Sequence, residues 1–297
     1  MSHPIGLLAA APFGAPALGW TAAPGVLVPV AVAAALYLAG WVTLTRRMPA
    51  RFRPARAIAF LAGLAAMVLA LCSPLDAVGH VRLSAHMVQH LLLMLVAPPL
   101  LWLGAPVAPL LVGLPRPARR VVASALAARP IRRLTGALAD PRVGWLAFAA
   151  AFWLWHLPDA YDLAVSSDAW HHVEHACFLV AALLFWRPVI LPWPARASWS
   201  RWVLIAYLAA AEAQAALLAA MLTFADRVIY SAYDVPARAG VSALDDQALA
   251  GVIMWVPGSL VFAVAALGLV FTALATPVPV SGPAMLATPE RRAADRR

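Results

Sequence analysis

The chain has 297 residues, of which 64% are hydrophobic and only 12% are charged, and its mean hydropathy is +0.82. That composition excludes a soluble domain and a disordered chain, and the length suits one membrane bundle better than two domains. The formal net charge of +9 is carried by arginine alone, and its distribution along the chain argues against a nucleic-acid partner.

Seven stretches are long or apolar enough to span a bilayer: residues 26–44, 57–75, 84–103, 143–157, 170–191, 201–223 and 247–275. The predicted architecture is all-α, a polytopic seven-transmembrane-helix bundle over residues 26–275. An extracytoplasmic segment, 1–25, precedes it. It has no basic stretch, and Pro12, Gly14 and Pro16 break its apolar run, so no cleavable signal is expected. The tail 276–297 carries Pro277, Pro279, Pro283 and Pro289 and ends in charges, the pattern of a disordered segment. Within the bundle, Pro98, Pro99, Pro106 and Pro109 are expected to kink or end the third span, because each removes a backbone donor. The fourth span is short and needs an extra turn at either end.

Arginine sets the predicted orientation. Nineteen arginines fall in the first, third and fifth connections and the tail, from Arg46 and Arg47 through Arg116, Arg119 and Arg120 to Arg296 and Arg297. Only Arg82, Arg227 and Arg238 fall on the other side. The positive-inside rule then places the N-terminus outside and the C-terminus in the cytoplasm of a bacterial inner (plasma) membrane protein. Residues 116–139 read either as a basic interfacial helix touching lipid or as a solvated basic loop.

With that orientation the histidines converge on the outer end. Seven of the eight, His80, His86, His90, His156, His171, His172 and His175, sit at or near the same ends of several spans. His86-x-x-x-His90 and His171-x-x-x-His175 each put two imidazoles on one helical face. Imidazoles in a membrane are costly, and a cluster of them points to a metal. The predicted ligands are His86, His90, His156, His171 and His175, with Met94 and Met254 bordering the pocket from below and Met87 nearby. Imidazole with thioether suits copper, Cu(I) above all. Asp162, Glu174 and Asp246 are candidates to orient the ligating rings. Cys72 and Cys177 read as packing residues, and Glu212, mid-span beside Gln214, as either a structural hydrogen-bonding group or a proton relay.

Four motifs carry a family resemblance. They are Ser84-Ala85-His86-Met87-Val88-Gln89-His90 running on to Met94 and Ala97-Pro98-Pro99; Trp155-His156-x-Pro158-x-x-Tyr161-Asp162; His171-x-x-Glu174-His175 leading to Phe185-Trp186-x-Pro188; and Asp246-Gln247 through Gly251, Met254-Trp255, Pro257 and Gly258. Together they resemble the CtaG family of cytochrome c oxidase assembly factors linked to caa(3)-type oxidases, across about residues 25–275. The resemblance implies a non-enzymatic role in oxidase maturation, with copper as cargo and oxidase subunits and the lipid bilayer as partners. One departure is His172 beside His171, which leaves open which ring points inward. Two other classes share the ligand types: a seven-span zinc-dependent hydrolase with Asp162 or Glu174 handling protons, and a membrane haem protein with imidazole axial ligands.

Overall fold

The computed structural model describes residues 19–195, 197–233 and 241–275. The tail 276–297, residues 1–18 of the N-terminal segment and loop residues 234–240 lie outside the described residues. Among those described the chain is helical, with no β-strand.

In chain order the helices are α1 (Pro24–Arg47), α2 (Pro54–Cys72), α3 (Pro74–Gly79), α4 (Leu83–Leu91), a π turn (Leu92–Val96), α5 (Ala97–Leu103) and α6 (Val107–Gly113). Then come α7 (Arg116–Ala127), α8 (Arg129–Leu138), α9 (Pro141–Trp155), α10 (Pro158–Ser166), α11 (Asp168–Ile190), α12 (Arg201–Thr223) and α13 (Ala243–Leu274). Proline punctuates this order. Pro24, Pro54, Pro74, Pro141 and Pro158 each open a helix, where the missing N–H is no loss. Side chains cap other starts: Ser200 accepts from the Val203 amide and Ser242 from the Asp245 amide.

Among the described residues, six helices are long and apolar enough to cross a membrane: α1, α2, the continuous run Leu83–Leu103, α11, α12 and α13. The helix in the place of the expected fourth span, α9, has 15 residues and a length of about 22 Å. It gains no extra turn, because Pro141 fixes its start and Pro158 opens the next helix. Of the two expected outcomes at Pro98 and Pro99, the helix is distorted and not ended, and the run continues to Leu103. Pro98 has no N–H for the Met94 carbonyl, and the backbone widens into the π turn just before it. The orphaned Met94 carbonyl accepts instead from Trp186 Nε1 at 2.9 Å. The basic stretch 116–139 forms two helices, broken at Ala128 ahead of Pro130, with no residue of either buried.

The bundle has two chemically distinct ends. At one, Thr21 N donates to the Cys72 carbonyl, Ser84 Oγ to Asp246, Tyr233 Oη to the Gly79 carbonyl, and Tyr230 Oη to the His156 carbonyl. These bonds gather the start of α1, the end of α2, the start of α4, the end of α9 and the start of α13. This is the histidine end. At the other, Arg187 donates to the Ala139 carbonyl, Arg201 to the Thr272 carbonyl, and the Arg51 guanidinium lies 5.5 Å from the Trp193 ring centroid. Pro24 therefore lies at the histidine end and Leu274 at the arginine end.

Between the ends the core is aromatic. Phe148 stacks on Phe185 at 4.4 Å, Phe185 on Tyr207 at 4.7 Å, and Trp186 on Phe262 at 5.8 Å. Apolar helices gain little from leaving lipid for one another, so such packing and interhelical hydrogen bonds hold the bundle. Tyr207 Oη donates to the Phe185 carbonyl at 2.9 Å and Trp102 Nε1 to the Leu183 carbonyl at 2.7 Å. Close backbone approach does the same for α1 and α6, where a Cβ on Gly40 would stand 1.9 Å from the Pro109 carbonyl oxygen. Leu146, Leu154, Leu217, Leu260, Val264 and Phe271 are exposed around the outside, as a lipid-facing surface requires.

Candidate metal centre

Three helices deliver the site. α4 supplies His86 and His90, one turn apart on its inner face, and α9 ends at His156. α11 supplies His171, Glu174 and His175, whose i, i+3, i+4 spacing puts all three on one face. All six side chains are buried. His172 points the other way: it is exposed, and its Nδ1–H donates to the Asp168 carbonyl. His171 is thus the inward ring.

The five buried rings form one group. Centroid separations are 4.3 Å for His86–His90, 5.1 Å for His86–His171, 4.2 Å for His171–His175, 5.5 Å for His90–His175 and 6.0 Å for His90–His156. Glu174 lies at the centre rather than behind a ring. Its Oε2 is 3.6 Å from His86 Nε2 and its Oε1 is 3.6 Å from His90 Nε2. One ligand atom from each of His86, His171, Glu174 and His175 lies within 4.8 Å of the others. Ligands on a tetrahedral metal at about 2.0–2.1 Å stand roughly 3.3 Å apart, so small side-chain rotations would close the set.

Hydrogen bonding fixes which nitrogens are available. Tyr233 Oη has one proton and gives it to the Gly79 carbonyl at 2.6 Å. Its 3.2 Å contact with His86 Nδ1 must therefore be donated by the ring, which leaves the His86 lone pair on Nε2, facing Glu174. His156 behaves alike, with Nδ1–H donating to the Phe152 carbonyl at 2.7 Å. Burial pushes the phenols of Tyr230 and Tyr233 up, which keeps the Tyr233 donor protonated.

The polar atoms left over are concentrated here. Among the described residues, thirteen buried side-chain nitrogens and oxygens have no hydrogen-bond partner, and eight of them belong to His86, His90, His156, His171, Glu174 and His175. Folded proteins rarely leave such atoms unpaired, and a shared cation would satisfy several of them together.

Below this group, toward the aromatic core, His90 and His156 border a small cavity of about 30 Å³ that Met87, Met94 and Met254 also line. The expected methionines are therefore beside two of the expected imidazoles. The expected orienting carboxylates are placed differently. Asp162 accepts from Ser231 Oγ at 2.5 Å and from the Ala232 amide at 3.2 Å, so it anchors the loop after α12 and not a ring. Asp246 accepts from Ser84 Oγ at 2.5 Å and from its amide at 3.4 Å, capping α4. Sequence reasoning missed Tyr233 and Gln89. Gln89 lies between the two α4 histidines in sequence, but Tyr233 sits in an aperiodic loop that gives no signal.

A polytopic helical membrane protein with a buried imidazole–carboxylate group at one end is the class these features define. The chain belongs to the cytochrome c oxidase caa3 assembly factor family, Caa3_CtaG, whose family model matches residues 35–276. Two uncharacterized mycobacterial proteins, Mb0105 of Mycobacterium bovis and MT0111 of Mycobacterium tuberculosis, are each 30% identical over 234 residues, 74% of this chain. The chain spans 34% of the length of these relatives. No solved structure matches it.

Proposed function

We propose that this protein serves cytochrome c oxidase assembly by accepting copper at its histidine end and passing it to an oxidase subunit. The observation that carries the proposal is the buried group of His86, His90, His171, Glu174 and His175, whose Nε2 atoms and carboxylate oxygens lack hydrogen-bond partners within the protein. Family membership supplies the oxidase. Ligand chemistry supplies copper, since imidazoles bordered by the thioethers of Met87, Met94 and Met254 suit Cu(I) better than a hard cation. In this reading copper is cargo. His86 and His156 present Nε2 lone pairs, Tyr233 holds His86 in the matching tautomer, and Glu174 offsets the ion's charge. Release by ligand exchange needs fewer than four fixed ligands, which suits rings that still have to rotate inward.

The same reading places the histidine end outside a bacterial plasma membrane. The arginine asymmetry supports a cytoplasmic C-terminus, and α9 serves as a short fourth crossing that makes seven. The opposite ends occupied by Pro24 and Leu274 agree with an odd number of crossings.

A zinc site is the second reading, favoured by one observation: His86, His171, Glu174 and His175 alone form a nitrogen–oxygen set that zinc accepts. Haem fits less well, because rings packed 4.2–6.0 Å apart leave no space for a macrocycle between them.

The test uses full-length protein in lipid nanodiscs, supplied with Cu(I) under reductant and challenged with a chromophoric chelator. Wild type is expected to retain about one copper per chain, and the His86→Ala, His90→Ala, His175→Ala triple variant none. Equal retention by both overturns the copper reading, and retention of zinc but not copper establishes the alternative.

A further inference from the structure

We infer that Asp76, His80 and His171 form a second, shallower site for a copper ion, from which the ion steps inward to the buried group. The inward step rests on the copper reading above; the site itself rests on its own geometry.

α3 is one short turn of chain, and it puts Asp76 and His80 four residues apart on the same side. His80 is exposed, Asp76 half-buried and His171 buried, so the three run from surface to interior. One ligand atom of each lies within 4.8 Å of the others, and the His80 and His171 rings are 4.9 Å apart. The arrangement is built. Gln89 Nε2 donates to Asp76 Oδ1 at 2.9 Å and to the Ala70 carbonyl at 2.8 Å, which fixes one carboxylate oxygen and leaves Oδ2 to a ligand. Gly79 makes room for that amide, since a Cβ there would stand 2.3 Å from Gln89 Oε1. His171 Nε2 is buried without a partner.

These residues line a cavity of about 480 Å³ that reaches from Thr21 and Val26, at the start of α1, to His175 in the buried group. His171 belongs to both sets of ligands, with His80 on one side and His175, 4.2 Å away, on the other. Rotation of that one side chain exchanges an outer ligand for an inner one. The ion that steps inward is Cu(I) at both sites, and each metal–ligand bond broken on the outer side is replaced by one on the inner side. Two imidazoles and a carboxylate also hold Cu(II), whose unpaired electron makes it a spectroscopic probe of the outer site.

Cu(II) is the probe, read by electron paramagnetic resonance on full-length protein in nanodiscs. The expected spectrum has two nitrogen ligands. It persists in the His86→Ala, His90→Ala variant and weakens about tenfold or more in affinity in His80→Ala and Asp76→Asn. His80 is exposed, so its loss leaves folding intact. Unchanged Cu(II) affinity in His80→Ala, or a wild type without a two-nitrogen signal, overturns the site. Under reductant, His80→Ala is expected to load Cu(I) about tenfold more slowly to the same final level, and an unchanged rate overturns the inward step. Loss of Cu(I) retention beside an intact His80-dependent Cu(II) signal sinks the copper-delivery reading and the inward step and leaves the outer site standing. A missing Cu(II) signal beside intact Cu(I) retention sinks the outer site and the inward step and leaves the copper-delivery reading standing.

Discussion

Single residues decide how the site is tuned. Tyr233 donates to the Gly79 carbonyl and accepts from His86, so one hydroxyl fixes a turn and a tautomer together. Tyr233→Phe is expected to cost about 1 kcal/mol of stability. It should weaken Cu(I) binding roughly 10- to 100-fold, because His86 can then adopt the tautomer with its proton on Nε2. Chelator competition checks the affinity; a variant that binds like wild type removes Tyr233 from the account. The histidines themselves were legible, because the 1, 5 spacing on an apolar helix is a local pattern. So was the convergence of His156 with them, which needed only helix directions. Glu174 was visible, but its place was not. Its position among the ring nitrogens depends on the rotation of α11 against α4, which no local pattern encodes. Asp162 and Asp246 were assigned to rings for their charge and depth alone, and instead serve backbone amides and serine hydroxyls.

At the scale of elements, the apolar pattern locates the long helices within a few residues and does not tell how proline and tertiary bonds compete. Pro98 and Pro99 read as a kink or an end, and the local pattern does not choose between them. The chain absorbs them by widening the turn, and a tryptophan 88 positions beyond Pro98 satisfies the carbonyl they orphan. Trp186→Phe removes that donor while keeping most of the ring. It is expected to cost about 0.5–2 kcal/mol, read as a shift in reversible detergent unfolding. An unchanged midpoint would mean that the Met94 carbonyl finds another partner. The short α9 was visible as a length deficit. What compensates was not: a Cβ on Gly144 would stand 2.7 Å from the Leu184 carbonyl oxygen, so α9 and α11 touch backbone to backbone. In the amphipathic α7 and α8, Val121, Leu134 and Leu138 are exposed on the faces away from their arginines, the pattern an interfacial helix would present.

For the whole molecule, the two-ended design makes orientation testable without any metal. A reporter active only in the periplasm, fused after residue 297, is expected to stay inactive, and one placed ahead of α1 to be active. The reverse pattern would put the imidazoles in the cytoplasm and remove the delivery reading with them. The bonds from Tyr233 and Asp246 also bear on biogenesis. Every imidazole of the cluster has left the ribosome once α11 is made, yet the phenol that orients His86 and the carboxylate that caps α4 come from the last stretch of chain. The nascent protein thus carries all its nitrogen donors well before it can aim them. A product ending before Ser231 lacks both groups and is expected to insert its earlier helices and still fail to hold copper, so ion capture would report that synthesis has run through the last helix.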